Sequence, residues 1–411
     1  MGSNNSISHP KRLKRPPSVQ PPPPSAPTPS PQPPTSQSLD EIFKRLALND
    51  FFCSSLILGD TPLKAEDVFR LAEILKTNNR LSFIYLRKTN VLDEGVIYLA
   101  EALKVNASLE YLNLCDNGLS SKGIFHLAEA LKTNISLRSL DLSENPLNDD
   151  AIFSLAETLR VNTTLTSLIL SRTRVTAEGA AHLAEALKKN STLNFLSMWG
   201  NRVAAEGAAH LAEALKINSM LKLLDISKND LSDVGVDYLA EMLKSNSTLS
   251  KLLLHDNRVT AKGAGRLAEA LRRNSSLTTL HLWSNQARDD GAVLIAEALK
   301  VNSTLTELYL AYNSVGSIGL ASLAGVLSSS SPLRELSLAG NVFSREDEAF
   351  FLRSLVGNSS LTRLTLKQLD VPEVHPYLQR NEHNHQQKEV TLLSLLLPSL
   401  KEVETKALAM S

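Results

Sequence analysis

The chain has 411 residues, with 43 lysines and arginines against 43 aspartates and glutamates, so its formal net charge is zero. This balance excludes a global electric field that would draw the protein to nucleic acid. Two cysteines in the whole chain are typical of a reducing compartment. Neither a secretory signal peptide nor an apolar run long enough to span a bilayer is recognisable. We therefore expect a soluble cytoplasmic protein.

The first residues match the pattern for N-terminal myristoylation, because Gly2 follows the initiator methionine and Ser6 stands where the pattern needs a hydroxyl. A basic patch follows at Lys11, Arg12, Lys14 and Arg15. One myristoyl chain binds membranes weakly, but each basic residue near an anionic leaflet adds about 1 kcal/mol. The sequence thus predicts lipidation of Gly2 and peripheral contact with the cytoplasmic face of a membrane. A nuclear localisation signal is the alternative interpretation of the basic residues.

Most of the prolines of the chain lie between Pro16 and Pro34. Such a composition predicts disorder or polyproline II structure, and we place the boundary of this N-terminal segment at residues 1–37. Polyproline II segments dock on SH3, WW and related domains with little loss of conformational entropy. We expect either a partner domain of this kind or a simple spacer.

A short helix is predicted directly after the proline-rich segment. Ser38 and Glu41 have the spacing of a capping box, and Phe43 and Leu46 follow on one side of the helix. We interpret residues 38–80 as an N-terminal cap joined to a degenerate first repeat.

Asparagine then recurs every 28 residues, and a leucine follows each asparagine three places on. The asparagines are Asn78, Asn106, Asn134, Asn162, Asn190, Asn218, Asn246, Asn274 and Asn302. A fixed period of this length indicates a solenoid. Repeats of the form L-x-x-L-x-L-x-x-N-x-L/V, followed by a small-residue turn and L-A-E-A-L-K-x-N, are predicted over residues 81–372, with a C-terminal cap and tail at residues 373–411.

The first half of each repeat predicts a short strand. In the unit that begins at Leu249, Leu252 and Leu254 are two places apart, so both side chains point to the core side of the strand. Asn257 comes where the chain leaves the strand. Its amide can hydrogen-bond the backbone of the neighbouring turn, and repetition then produces an asparagine ladder.

The second half of each repeat predicts a helix. Gly263 marks a turn, after which Leu267, Ala268 and Leu271 share one apolar face. A single unit cannot bury that face, but stacked units bury it against one another.

With this pattern the chain resembles the ribonuclease-inhibitor-like subfamily of leucine-rich repeat proteins, which includes the repeat regions of NOD-like receptors. The resemblance implies an α/β solenoid shaped like a horseshoe, with parallel strands on the concave face and helices on the convex face. It implies a recognition surface without a cofactor. The chain departs from the best-known members because it has only Cys53 and Cys115 and no G-x-x-x-x-G-K-S/T sequence.

No Ser/His/Asp set, H-E-x-x-H or C-x-x-C sequence indicates catalysis, so we predict a non-enzymatic scaffold that binds a protein. Two alternatives stay open. A Ran GTPase-activating protein is similar in architecture, which makes a regulator of that type the first alternative. A secreted bacterial effector with leucine-rich repeats would also suit a polar N-terminus with a lipidation motif.

The repeats generate N-x-S/T sequons at Asn106, Asn134, Asn162, Asn190, Asn246, Asn274, Asn302 and Asn358. Because these sequons recur with the repeat, we predict that the asparagines serve the turn at the end of each helix and are not glycosylation sites.

Exposed aromatic side chains are predicted on the concave face of the later repeats, at the second, fourth and sixth positions after the first leucine. These residues are Phe195, Trp199, His255, His281, Trp283 and Tyr309, with Tyr312 just beyond. Earlier repeats have small or polar residues there: Asn113, Cys115, Ser139, Asp141, Ser143 and Ser171. Because exposed aromatic residues are favoured interface anchors, the later repeats are the predicted binding surface for a protein partner.

One rim of that face carries Arg174, Arg202 and Arg258, which share the ninth position after the leucine and could orient an acidic partner. A metal site formed by His255 and His281 with Asp225 and Asp256 is not predicted, because these residues lack tight chelate spacing.

Overall fold

The computed structural model describes residues 38–50, 52–328 and 331–366. Gly2, the basic patch, the proline-rich segment and the cap and tail predicted at residues 373–411 lie outside these residues. The strands are β1 Ser55–Ile57, β2 Phe83–Tyr85, β3 Tyr111–Asn113, β4 Ser139–Asp141, β5 Ser167–Ile169, β6 Phe195–Ser197, β7 Leu223–Asp225, β8 Lys251–Leu253, β9 Thr279–His281, β10 Glu307–Tyr309, β11 Glu335–Ser337 and β12 Arg363–Thr365.

One helix precedes the first strand, and one α-helix lies between every two consecutive strands. The helices are α1 Leu39–Ala47, α2 Ala65–Thr77, α3 Leu92–Leu103, α4 Ser121–Leu131, α5 Asp149–Leu159, α6 Ala177–Leu187, α7 Ala204–Leu215, α8 Ser232–Leu243, α9 Ala261–Leu271, α10 Arg288–Leu299, α11 Ser317–Leu327 and α12 Arg345–Ser354. A short 3-10 helix follows at Leu355–Gly357. None of the described helices is long and apolar enough to cross a membrane.

The strands form one open parallel sheet in which their order is the order along the chain. Every pairing joins equivalent positions of consecutive repeats, as Leu224 with Leu252 and Leu252 with Leu280. Constant register follows from the constant repeat length, because a slip of one residue would turn the core leucines to the other face. The predicted α/β solenoid is confirmed.

The core lies between the sheet and the helices. Leu252 and Leu254 are fully buried, as the alternation of the strand predicts, and they meet the buried face of α9, formed by Leu267, Ala268 and Leu271. Equivalent residues of the neighbouring repeats continue the same cluster, so each repeat buries its apolar side against the next.

A first asparagine ladder lies in the turns after β3, β4 and β6 to β11, with threonine at the same position after β2 and β5. The side-chain Nδ2 of Asn257 donates to the carbonyl of Ile226 at 3.0 Å, and its Oδ1 accepts from the backbone N–H groups of Asn229 and Leu231 at 2.8 and 3.3 Å. Asn257 is completely buried. One side chain therefore satisfies three backbone groups of the preceding repeat, which the strands leave unpaired.

A second ladder lies at the other end of the repeat, in the turns after α2 to α10 and after α12. Nδ2 of Asn274 donates to the carbonyls of Leu243 and Asn246 at 2.8 and 3.0 Å, while Oδ1 accepts from its own turn at Leu277. The sequon asparagines of the sequence occupy this position, and all eight are buried. Their side-chain amides are hydrogen-bonded within the stack, as the turn interpretation requires.

Gly263 has a different role from the predicted one. It lies inside the first turn of α9, not in a turn before the helix. A Cβ there would stand 2.5 Å from Oδ1 of Asp233, which accepts hydrogen bonds from the backbone N–H groups of Thr260 and Gly263. Glycine thus allows the carboxylate of one helix to cap the start of the next.

The helix predicted after Ser38 is α1. The side-chain oxygen of Ser38 accepts a hydrogen bond from the backbone N–H of Glu41, and Phe43 and Leu46 are buried against the first repeat. The degenerate repeat that follows contributes β1 and α2, and β1 pairs with β2 in the common register. The sheet therefore begins one repeat before the first regular leucine.

Candidate interaction surface on the strand face

One side of the sheet faces away from the helices and is called here the strand face. It is built from the second, fourth and sixth residues after the first leucine of each repeat, because the third and fifth residues point into the core. The candidate residues from the sequence follow this rule. Phe195 lies in β6, His281 in β9 and Tyr309 in β10, whereas Trp199, His255 and Trp283 lie just beyond their strands.

Trp199 and His255 are joined by a hydrogen bond on the strand face. Nε1 of the indole donates to Nε2 of the imidazole at 2.9 Å. Only 6% of Trp199 and 4% of His255 are exposed, and Phe195 is buried as well. The expectation that these three side chains are exposed is therefore wrong. Neighbouring side chains on the strand face lie against Trp199 and His255.

The hydrogen bond fixes the tautomer of His255. Since Nε2 accepts from Trp199, the neutral ring carries its proton on Nδ1, and this buried atom has no hydrogen-bond partner among the described residues. Burial, together with the nearby His281 and Lys228, lowers the pKa of His255 to about 3. Burial likewise lowers the pKa of His281 to about 4, and its Nδ1 is also unpartnered within the described part of the chain. Both rings are neutral near pH 7.

Ring contacts extend from His255 toward the later repeats. Its ring centroid is 5.3 Å from that of His281 and 5.7 Å from that of Trp283. His281 stacks on Tyr309 at 4.5 Å, and Trp283 meets Tyr312 edge-on at 5.8 Å. The resulting aromatic cluster consists of Trp199, His255, His281, Trp283, Tyr309 and Tyr312.

Exposure increases along the aromatic cluster. Trp199 and His255 are buried, whereas His281, Trp283 and Tyr309 are half-buried. Tyr312 is 46% exposed. The later end of the cluster is therefore the part that offers ring surface to another molecule.

Two cations that the sequence interpretation missed lie over Trp199. The guanidinium carbon of Arg172 is 4.4 Å from the ring centroid, and Nζ of Lys228 is 5.7 Å from it. Both distances are within the range of cation–π attraction. Arg172 and Lys228 share the seventh position after the leucine, where the chain turns away from the sheet. The repeat pattern would have identified this position if the seventh residue after the leucine had been considered together with the second, fourth and sixth.

The predicted rim arginines, Arg174, Arg202 and Arg258, are exposed at the ninth position. They are not equivalent. Nε of Arg258 forms an ion pair with Oδ1 of Asp230 at 2.9 Å. Arg174 and Arg202 form no ion pair within the described residues.

Asp225 belongs to a chain of polar contacts across the strand face. Oγ of Ser171 is 3.1 Å from Oγ of Ser197, which donates to Oδ2 of Asp225 at 3.1 Å, and the backbone N–H of Ser227 donates to Oδ1. Burial raises the pKa of Asp225 to about 6, against the opposing effect of these hydrogen bonds. Over residues 38–366, apart from the three left undescribed, no group of three or more His, Cys, Asp and Glu side chains is placed to hold a metal ion.

The earlier repeats carry a second aromatic contact that was overlooked. Phe83 and Tyr111 stack face to face with ring centroids 4.3 Å apart. Burial raises the pKa of Tyr111 and of the nearby Cys115 thiol to about 12 in each case. Because Phe83 and Tyr111 occupy the second position of their repeats, the rule that located Phe195 would have found them. The expectation that the early strand face is small and polar is wrong for β2 and β3.

The repeat pattern is found again by comparison with known protein families. The Leucine Rich repeat family matches residues 105–128, 133–156, 161–184, 218–240, 273–296 and 301–324. The chain carries leucine-rich repeats. The matched leucine-rich repeats include parts of the structure on both sides of Trp199, and all follow the 28-residue register of the sheet.

Solved structures similar to this leucine-rich repeat chain include an internalin from Listeria monocytogenes, at 17% identity over 81% of this chain and 90% of that one, with a TM-score of 0.45. The complex of Rad7 and Elc1 from yeast matches at 17% identity over 76% of this chain and 87% of that chain, with a TM-score of 0.34. The tropomodulin C-terminal domain of Caenorhabditis elegans matches at 17% identity, 44% and 92% coverage and a TM-score of 0.30. No curated protein sequence matched the chain.

Proposed function

We propose that the chain is a non-enzymatic interaction scaffold that binds a protein partner on its strand face. The observation that carries this proposal is the aromatic cluster, which crosses β6 to β10 and becomes progressively exposed toward Tyr312. Tryptophan and tyrosine are enriched among the residues that dominate binding energy at protein interfaces.

The buried part of the aromatic cluster supports the exposed part. Trp199 and His255 hold each other by a hydrogen bond, and the rings of His281 and Trp283 rest against His255. A partner that docks on Trp283 and Tyr312 therefore meets rings that are already ordered. Ordering side chains at an interface costs about 0.5 to 1.5 kcal/mol each, so this arrangement favours binding.

Affinity purification followed by mass spectrometry tests the proposal. We expect the full chain to recover a protein partner that Trp283→Ala and Tyr312→Ala lose. Phe125→Ala is the matched control, because Phe125 is an aromatic residue of α4 with 51% exposure on the helix side. A partner that is lost with Phe125→Ala and retained by both strand-face variants would overturn the proposal.

We further propose that Gly2 is myristoylated and that the basic patch assists attachment to the cytoplasmic face of a membrane. Support comes from the sequence pattern and from the spacing between the lipid site and Lys11. The proline-rich segment is proposed as a docking site for an SH3-type or WW-type domain. In this arrangement the N-terminal segment localises the protein and the repeats select its partner.

A further inference from the structure

The loops that follow β5 to β8 form a cationic rim beside the aromatic cluster. At the seventh and ninth positions of these repeats the cationic rim holds Arg172, Arg174, Arg202, Lys228 and Arg258. The same positions carry two carboxylates, Asp230 and Asp256. The cationic rim therefore has an excess of positive charge, although the whole chain is neutral.

The excess charge is not neutralised within the described residues. Arg258 pairs with Asp230 at 2.9 Å and Arg172 with Glu144 at 3.5 Å. Arg202 and Lys228 are exposed and have no carboxylate within 4 Å among the residues described. Their charges are thus available to another molecule.

The charge is confined to one end of the aromatic cluster. The loops after β9 and β10 have uncharged residues at the corresponding positions: Ser284, Gln286, Tyr312 and Ser314. The loops after β3 and β4 have the opposite sign, with Asp116 and Glu144. A molecule lying across β5 to β10 would therefore meet cations at one end and exposed rings at the other.

A second observation concerns the floor of the cluster. Nδ1 of His255 and Nδ1 of His281 are buried polar atoms without a partner among the described residues, and His255 is 4% exposed. Native structures keep unpaired buried polar groups rarely.

We propose that the partner is recognised through an acidic extended segment, whose carboxylates lie on the cationic rim and whose neighbouring apolar side chain packs on Trp283 and Tyr312. This inference rests on the proposed function, and it specifies the chemistry of the partner. Arginine and lysine bind carboxylates by charge-assisted hydrogen bonds, and a cationic surface speeds encounter with an acidic one.

The dimensions of the strand face set the length of the segment. From β5 to β10 there are five strand spacings of about 4.8 Å, which makes about 24 Å. An extended peptide advances about 3.3 Å per residue, so about seven residues reach from the cationic rim to Tyr312. A short linear segment of a partner is sufficient.

A displayed library of random peptides of about ten residues, selected on the immobilised full chain, tests this inference. Peptides that bind the wild type and fail on Trp283→Ala are sequenced. We expect them to contain an excess of Asp and Glu over Lys and Arg relative to the unselected library. Neutral or basic peptides in that set would overturn the inference while leaving the proposed function intact.

The leading acidic peptide is then synthesised and titrated by calorimetry at low and high salt. The double variant Arg202→Glu, Lys228→Glu is expected to bind it at least about tenfold more weakly at low salt. The double variant Lys262→Glu, Arg273→Glu has the same change in charge on exposed residues of α9 and the turn after it, and we expect it to bind normally.

A charge swap separates recognition from loss of folding. A peptide with lysine in place of its acidic residues should bind the Arg202→Glu, Lys228→Glu variant and not the wild type. Equal binding of the acidic peptide to wild type and to this variant would refute the acidic segment. If selection recovers no peptide that depends on Trp283, and purified partners are also indifferent to Trp283→Ala, both the inference and the proposed function fail.

Discussion

The indole of Trp199 reaches the imidazole of His255 across an intervening strand. The two residues follow β6 and β8, and their hydrogen bond passes over Ser227, the fully buried residue that occupies the same position after β7. Ser227 also accepts, through its hydroxyl, a hydrogen bond from the backbone N–H of His255 at 3.1 Å. Three consecutive repeats are therefore tied together on the strand face as well as in the core.

Trp199→Phe should destabilise the protein. The substitution removes the N–H donor and leaves Nε2 of the buried His255 without a partner, which costs about 1 to 3 kcal/mol in the free energy of unfolding. Trp283→Phe is the matched control at a half-buried position and should have a smaller effect. Urea unfolding followed by circular dichroism measures both variants, and equal midpoints for Trp199→Phe and wild type would contradict the structural role of the hydrogen bond.

Acid should reduce the stability of the folded chain. The pKa of His255 is lowered to about 3 and that of His281 to about 4, whereas an unfolded histidine has a pKa of about 6.5. As the pH falls below about 6.5, the unfolded state binds protons that the folded state does not, so the free energy of unfolding decreases. Thermal melts between pH 7 and pH 5 should show this decrease. A smaller decrease is expected for His255→Gln, and an unchanged slope in that variant would refute the assignment.

Protonation of Asp225 should increase the free energy of unfolding over part of the same pH range. Its pKa is raised to about 6 by burial, so below that pH the folded state binds a proton before the unfolded state does. Protonation of Asp225 therefore partly offsets the loss caused by the histidines. Asp225→Asn removes this contribution and should steepen the fall in melting temperature between pH 6 and pH 4. An unchanged fall would show that burial does not raise the pKa of this carboxyl in the folded chain, and a shallower fall would show that its pKa is lowered there.

Asn257→Ala should be strongly destabilising although it removes few atoms. Three backbone groups of the preceding repeat lose their partner, and we expect a loss of at least about 2 kcal/mol in the free energy of unfolding. Asn257→Thr should be less severe, because Thr173 occupies the equivalent position of another repeat and donates to its own turn at 2.7 Å. Urea midpoints rank the two variants, and an alanine variant as stable as the threonine variant would contradict the ladder.

Deletion of one complete repeat should preserve the fold. Removal of residues 221–248 joins equivalent positions, so register and both asparagine ladders can form again. Removal of residues 221–234 alone breaks the register of every later strand. Far-ultraviolet circular dichroism and thermal melts compare the two deletions, and identical loss of structure in both would argue against stacking between nearest neighbours.

Gly2→Ala should release the protein from membranes. It removes the acceptor of the myristoyl group, and neutralising Lys11, Arg12, Lys14 and Arg15 removes the electrostatic attraction. Cell fractionation measures both effects, and mass spectrometry of the N-terminal peptide detects the lipid. An unacylated N-terminus, or unchanged fractionation of both variants, would end this proposal.

The fold could be predicted from the sequence because one period determines strand, turn and helix together. The positions of Leu252 and Leu254 in the repeat predict the buried side of a strand, and the position of Asn257 predicts the turn that follows. These predictions do not depend on where in the stack the repeat lies. Position within the repeat says which way a side chain points. It does not say how much of that side chain remains accessible.

Accessibility on the strand face depends on neighbours that are far apart in sequence. Trp199 is covered by Arg172, Lys228 and His255, each from a different repeat. Pattern analysis of a single repeat contains no information about that combination. For the same reason a single repeat does not reveal the role of Gly263, since its nearest contact is the carboxylate of Asp233 in the previous helix.

Because of the aromatic cluster, the fluorescence of the protein's own tryptophans can be used to study the strand face. The chain has two tryptophans, Trp199 and Trp283, and both lie on the strand face. The first is buried against a histidine and the second is half-buried, so their emission should differ in wavelength and in quenching by iodide. Tryptophan fluorescence therefore reports on the proposed binding surface and not on the helices, which would let an unlabelled partner be detected as it docks.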